Sequence, residues 1–180
     1  MKVELINIEQ YLNHDNRGFY DRLIRYAREF NQSEDCYKIG KLTEKRYGDI
    51  KDYQYLMETE LTFKDQLEFF GKFHGSDKIS KYRLDKVCRT IAYIDKSIND
   101  IIEVESKVLT SAPSSVDIEA GLERFEGLGI YMQIRKIAIT FSITPQQVKD
   151  MNYSECLTEL YTSKQIDDYQ NDYSNIMNRK

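Results

Sequence analysis

The sequence predicts an all-α protein: a helical bundle with one long heptad-patterned helix and a C-terminal helical subdomain. Three observations predict it. Apolar residues recur with a period near 3.6 over long segments. Strict alternation, the mark of a half-buried strand, is almost absent. Two prolines and eight glycines in 180 residues leave few places where a helix must stop.

Taken in order, residues 17–30, "RGFYDRLIRYAREF", place Phe19, Leu23, Tyr26, Ala27 and Phe30 on one helical face. Arg22, Arg25 and Arg28 recur on another part of that surface and read as a solvated face beside Asp21 and Glu29. The following "NQSEDCYKIGKLTEKRYGD" carries two glycines and mixed charge and reads as a looser connection. A helix is expected from about residue 50 to 58. Another follows from Thr62, with Phe63, Leu67, Phe70 and Phe73 at helical spacing. Gly75 can end it, and Ser76 or Asp77 can cap the next.

That next helix, over about 77–110, is the most regular feature. Leu84, Val87, Ile91, Ile94, Ile98, Ile101, Glu105 and Val108 alternate spacings of three and four, a heptad seam that only Glu105 breaks. At 1.5 Å per residue such a helix would be about 50 Å long. It either forms the spine of an antiparallel bundle or stands out to pack against another copy. "TSAPSSVD", residues 110–117, is the clearest linker, because Pro113 forbids a continuous helix. It divides the chain into residues 1–111 and 112–180.

Beyond the linker, Ser114 or Ser115 can cap a helix holding Ile118, Leu122 and Phe125. Gly121, Gly127 and Gly129 then cluster, which predicts a kink or close helix packing. Ile130, Ile134, Ile137, Ala138 and Phe141 make a further apolar face. Thr144 is an N-cap, Pro145 fits the first helical position and Gln147 completes a capping box. Ile143 and Val148 form a hydrophobic staple. The device repeats at Asn152 and Glu155, with Met151 and Cys156 as the staple, so a short helix over 145–150 joins two long ones. The last carries Tyr153, Leu157, Tyr161, Tyr169, Tyr173 and Met177 at multiples of four. Such a stripe suits either a partly wet interface or the edge of the chain's own core.

Composition excludes several function classes. The net charge is −4, and no region carries the basic excess of a nucleic-acid-binding domain. There is no run near 18 apolar residues, so no membrane span is expected, and the first residues lack the features of a signal peptide. A cytoplasmic place of work or assembly is therefore expected. Cys36, Cys88 and Cys156 have no metal-ligand spacing and imply no disulfide framework. His14 and His74 sit in no catalytic or metal motif, and Asp95, Asp100, Glu103 and Asp117 scatter along helix surfaces. With no Gly-rich phosphate loop or nucleophile elbow either, no enzyme, cofactor or metal is expected.

Residues 134–151, "IRKIAITFSITPQQVKDM", fit a helix-turn-helix in apolar spacing, with Ala138 as the packing alanine. They fit it poorly in chemistry. Ser142 stands where glycine usually supplies positive φ, and the second helix offers only Gln146, Gln147 and Lys149 beside Asp150. A DNA-binding regulator is thus the alternative to a stapled helix corner.

Residues 121–169, "GLERFEGLGIYMQIRKIAITFSITPQQVKDMNYSECLTELYTSKQIDDY", resemble the C-terminal halves of small helical proteins from tailed bacteriophages, namely tail-assembly chaperones and neck or tail components. The resemblance lies in an amphipathic helix leading into "SITPQQVKDMNYSECLTEL" and a tyrosine- and charge-rich final helix. It implies a non-enzymatic structural or assembly protein, working in the host cytoplasm during assembly and carried in the virion if it stays. Its partners would be capsid, portal or tail proteins, with a further copy of the chain as another partner. Tyr161, Tyr169 and Tyr173 are the first candidate contacts, and Leu128 with Gly129 the second.

Overall fold

The structure, a computed structural model, describes residues 36–76, 81–110, 119, 121–125 and 127–178. The expected 17–30 helix with its arginines, His14, Asp77, Asp117, the caps at Ser114 and Ser115, Ile118 and most of the linker lie outside them. Six α-helices and no strand occur among the described residues. They are α1 Tyr47–Glu58, α2 Phe63–His74, α3 Leu84–Leu109, α4 Gly129–Phe141, α5 Pro145–Asp150 and α6 Tyr153–Met177. Leu42–Glu44 and Leu122–Phe125 are 3-10 turns, so the segment expected to carry a helix through Leu122 and Phe125 is wound more tightly there.

The helix ends follow local chemistry. Thr62 accepts a hydrogen bond from the Asp65 amide at 3.2 Å, and the Asp65 carboxylate accepts one from the Thr62 amide at 3.0 Å. This capping box starts α2. The Thr62 hydroxyl, which donates to the Asp65 carboxylate, and then the Thr62 amide hold that carboxyl below its usual range. Gly75 ends α2 with φ of 75°, a conformation that favours glycine. The seam helix begins at Leu84 rather than near 77. Leu84, Val87, Ile91, Ile94, Ile98 and Ile101 are all buried within the chain, so this stretch of the seam is not left open to another copy.

The chain forms two compact units. Among the described residues, one holds those within 36–42 and 52–100, and the other those within 43–51 and 101–178. This division differs from the sequence boundary at 111, because a segment distant in sequence joins the C-terminal helices. The Tyr47 amide donates to the Met151 carbonyl at 2.8 Å, and the Tyr153 amide to the Lys45 carbonyl at 2.9 Å.

In the first unit the core gathers Leu67, Phe70, Leu84, Val87, Cys88 and Ile91, with Tyr37, Phe63 and Tyr82 against it. His74 ends α2 and stacks on Tyr37 at 5.6 Å. Asp95 is not merely a surface acid: it accepts a hydrogen bond from buried Tyr53 and further ones from Gln66 at 3.3 and 3.4 Å.

In the second unit α4 closes on Ser142, whose φ is 54°. The Ile143 amide reaches back to the Ala138 carbonyl at 3.0 Å and the Ser142 amide to that of Ile139 at 3.2 Å, a Schellman closure built without glycine. A serine held at positive φ is strained, so Ser142→Gly should stabilise the protein by roughly 0.5–1 kcal/mol in urea unfolding. The glycine cluster has a different role from the one its composition suggests. Gly121 and Gly127 adopt φ of 83° and 78° in turns, and a Cβ on Gly127 or Gly129 would meet open space. Close packing belongs instead to Gly48, where a Cβ would lie 2.8 Å from the Cβ of Lys149.

Candidate functional site

Glu105, the one break in the heptad seam, lies at the centre of a part-buried polar cluster in the second unit. Its Oε1 accepts from Lys51 Nζ at 2.6 Å and from Tyr153 Oη at 2.7 Å. The Lys51 side chain is 4% exposed and that of Glu105 13%. Tyr47 stacks on Tyr153 with ring centroids 6.0 Å apart and donates its hydroxyl to Gln133 Oε1 at 2.9 Å. One carboxylate on a seam thus ties α1, α3 and α6 together, while Tyr47 reaches α4. Sequence reasoning missed Lys51, Tyr47 and Gln133; the only signal was an acid at a position that asks for an aliphatic side chain.

Burial raises the pKa of both tyrosine hydroxyls far above the ordinary 10, and the Glu105 charge adds to it. Burial also pushes the Cys156 thiol up to about 11, with Glu155 adding to the effect. The folded state therefore holds these protons more tightly than the unfolded state. Stability from the three groups is full below the ordinary thiol value of 9 and falls as pH rises through that value and then through the tyrosine value of 10. Urea unfolding between about pH 8 and about pH 11 should show that loss, and Tyr47→Phe should flatten it.

The corner formed by α4, α5 and α6 follows the sequence closely. Thr144 accepts from the Gln147 amide at 3.2 Å, and Gln147 Oε1 accepts from the Thr144 amide at 2.9 Å. Asn152 caps α6 through the Ser154 amide at 3.0 Å, but the expected box with Glu155 is not formed; Ser154 Oγ donates to the same Asn152 oxygen instead. Val148 and Cys156 are buried beneath the corner, and Ile143 and Met151 are half-buried. Of the three candidate DNA contacts, Gln146 is exposed, Gln147 is engaged in the cap and Lys149 is half-buried with its Cβ and Cγ over Gly48. Asp150 pairs with Arg46. With six residues, α5 spans only about 9 Å of helix axis.

The outer faces of α4 and α6 are different in kind. Eleven of the fourteen large exposed hydrophobic residues among those described fall between Leu128 and Met177. On α4, Ile134, Ile137 and Ala138 are buried, while Met132 and Ile139, seven residues apart, form an exposed stripe with Arg135 between them, and Leu128 is exposed just before the helix. Met132, Gln133, Arg135, Lys136, Ile139 and Leu160 line a groove of about 400 Å³ between α4 and α6. Lys136 reaches across to Asp167 at 2.7 Å at its margin.

The tyrosine stripe does not lie on one face. Steps of four residues advance about 400° round a helix, so each position drifts about 40° from the one before. Tyr153 is accordingly buried, Leu157 is half-buried, and Tyr161, Tyr169, Tyr173 and Met177 are exposed. Beyond Leu160 no described residue of α6 is buried. Leu128, Gly129, Tyr161, Tyr169 and Tyr173 are all exposed, at the start of α4 and on more than one face of α6.

These features define a class: an all-α protein that gathers exposed apolar side chains on two of its helices. Among the described residues no group of His, Cys, Asp and Glu could hold a metal ion, and no helix is long and apolar enough to cross a membrane. No protein-family model, curated protein or solved structure matches the chain.

Proposed function

We propose that this chain is a non-enzymatic structural or assembly protein of a tailed bacteriophage, acting through helix-mediated contacts with other structural proteins. The observation that carries the reading is the concentration of exposed apolar side chains on α4 and α6 beside an apolar groove. An exposed apolar face of this kind stabilises a complex by leaving water, and a groove between two helices accepts a third. The resemblance of residues 121–169 to phage assembly proteins supplies the biological setting. The polar cluster supports the reading from below. Its tyrosines are firmly protonated and its ion pair is buried, which suits holding helices together rather than exchanging protons with a substrate.

The corner at 134–151 favours a structural role over DNA reading, because Gln147 and Lys149 are engaged with the protein itself. The test is purification of the tagged chain from infected cells after nuclease treatment. Capsid, portal or tail proteins in near-stoichiometric amounts, lost in a Met132→Asp, Ile139→Asp variant, are expected. Binding to duplex DNA that weakens steeply with salt, with no protein retained after nuclease, would overturn the reading.

A further inference from the structure

The outer half of α6 carries a pattern hidden by the tyrosine spacing. Ile166, Tyr169, Tyr173 and Ile176 follow one another at three, four and three residues, which is a heptad seam. They are 51%, 68%, 55% and 59% exposed. At 100° per residue this seam lies on the side of the helix opposite Tyr153, Cys156 and Leu160, the residues α6 buries in its own unit. The Tyr169 and Tyr173 rings already stack with centroids 6.3 Å apart.

We propose that this seam pairs with the same seam of a second copy, antiparallel, about a twofold axis passing between Tyr169 and Tyr173. The order of residues is the first argument. Ile-Tyr-Tyr-Ile at spacings of three, four and three reads the same in both directions, so reversing one helix sets Ile166 against the partner's Ile176 and Tyr169 against the partner's Tyr173. A twofold interface sets each position against its counterpart on the partner, and this order puts isoleucine against isoleucine and tyrosine against tyrosine.

Charge is the second argument. Flanking charges ordinarily select a different partner helix, but the flanks here are Gln165, Gln170, Asp172 and Met177. Asp167 and Asp168 lie off the seam, and Lys136 and Lys164 hold them at 2.7 and 2.6 Å. Gln170 meets its own copy near the axis, where two amides can hydrogen-bond to each other.

Area is the third. The four seam side chains and Met177 expose on the order of 500 Å² per copy, so a pair would bury about 1,000 Å², the lower bound of a specific and reversible interface. The pairing deepens the proposed function, since Tyr169 and Tyr173 belong to the exposed face that supports it, but it does not use the α4 groove, so loss of the dimer and loss of a phage partner are read separately.

The experiment is sedimentation equilibrium of the full chain from about 5 to about 300 µM. A reversible dimer is expected, weakened at least about tenfold by Ile166→Asp with Ile176→Asp. Both residues are exposed, so unchanged circular dichroism would confirm folding. A chain that remains monomeric, or a dimer indifferent to these substitutions, would overturn the proposal.

Cross-linking fixes the direction. With Cys36 replaced by serine, Ile166→Cys and Ile176→Cys chains should form a disulfide when mixed and not when kept separate. Disulfides within each variant alone would mean parallel pairing and would overturn it. Asp172 approaches its own copy across the axis, so Asp172→Asn should tighten the dimer about twofold. No change in affinity would overturn the register.

Discussion

Replacing Glu105 with alanine should destabilise the protein by about 3–5 kcal/mol, because it leaves the Lys51 ammonium buried with its principal partner removed. Lys51 Nζ sits 2.6 Å from Glu105 Oε1, and that oxygen also accepts the Tyr153 hydroxyl. The loss should therefore exceed that of any exposed pair, such as Lys72–Glu68, which contributes at most about 1 kcal/mol. The decisive comparison is a double substitution. Lys51→Met with Glu105→Leu removes both charges and restores the aliphatic seam, so it should recover most of the loss or even exceed the native stability. Urea unfolding of the four chains measures this directly. Two single losses that simply added would show that the pair is not coupled and that the cluster holds the helices by packing alone.

The second large effect lies in the other unit. Phe70 is fully buried, edge-on to Tyr37 at 5.8 Å and to Tyr82 at 5.8 Å, with His74 at 5.4 Å. Phe70→Ala should cost about 3–5 kcal/mol, combining the lost transfer energy with a cavity that its ring neighbours cannot easily fill. Urea unfolding gives the magnitude, and thiol labelling gives the place. Cys88 belongs to the same cluster and should become reactive, whereas Cys156, buried in the other unit, should stay slow. Equal acceleration at both thiols would mean that the two units open together.

What could be read from the sequence was what local chemistry decides. The helix start after Thr62, the Thr144 capping box, the glycine stop at Gly75 and the short α5 depend on residues within four positions of each other, and all are where they were expected. The buried stretch of the α3 seam was legible for the same reason, since periodicity marks a face without naming what covers it. Long-range partners were not legible. Glu105 announced itself as an anomaly, but Lys51 lies 54 residues away and no spacing rule joins them. The tyrosine stripe misled because multiples of four resemble a face over two turns and wind away over five. Counting by three and four instead separates buried Tyr153, Cys156 and Leu160 from exposed Ile166, Tyr169, Tyr173 and Ile176. Two glycines were misread because composition cannot distinguish a packing glycine from one chosen for its φ.

The backbone bonds joining Lys45 and Tyr47 to Tyr153 and Met151 also set a timetable for synthesis. A ribosome adding about 5–20 residues per second needs roughly 5–20 s to travel from one side of that pairing to the other. For much of that interval residues 43–51 are outside the ribosome without their C-terminal mates. The C-terminal unit thus becomes whole only late in translation, however quickly its helices wind. A nascent chain halted between α3 and α4 would hold an unfinished half, an invitation to chaperones that the completed molecule withdraws.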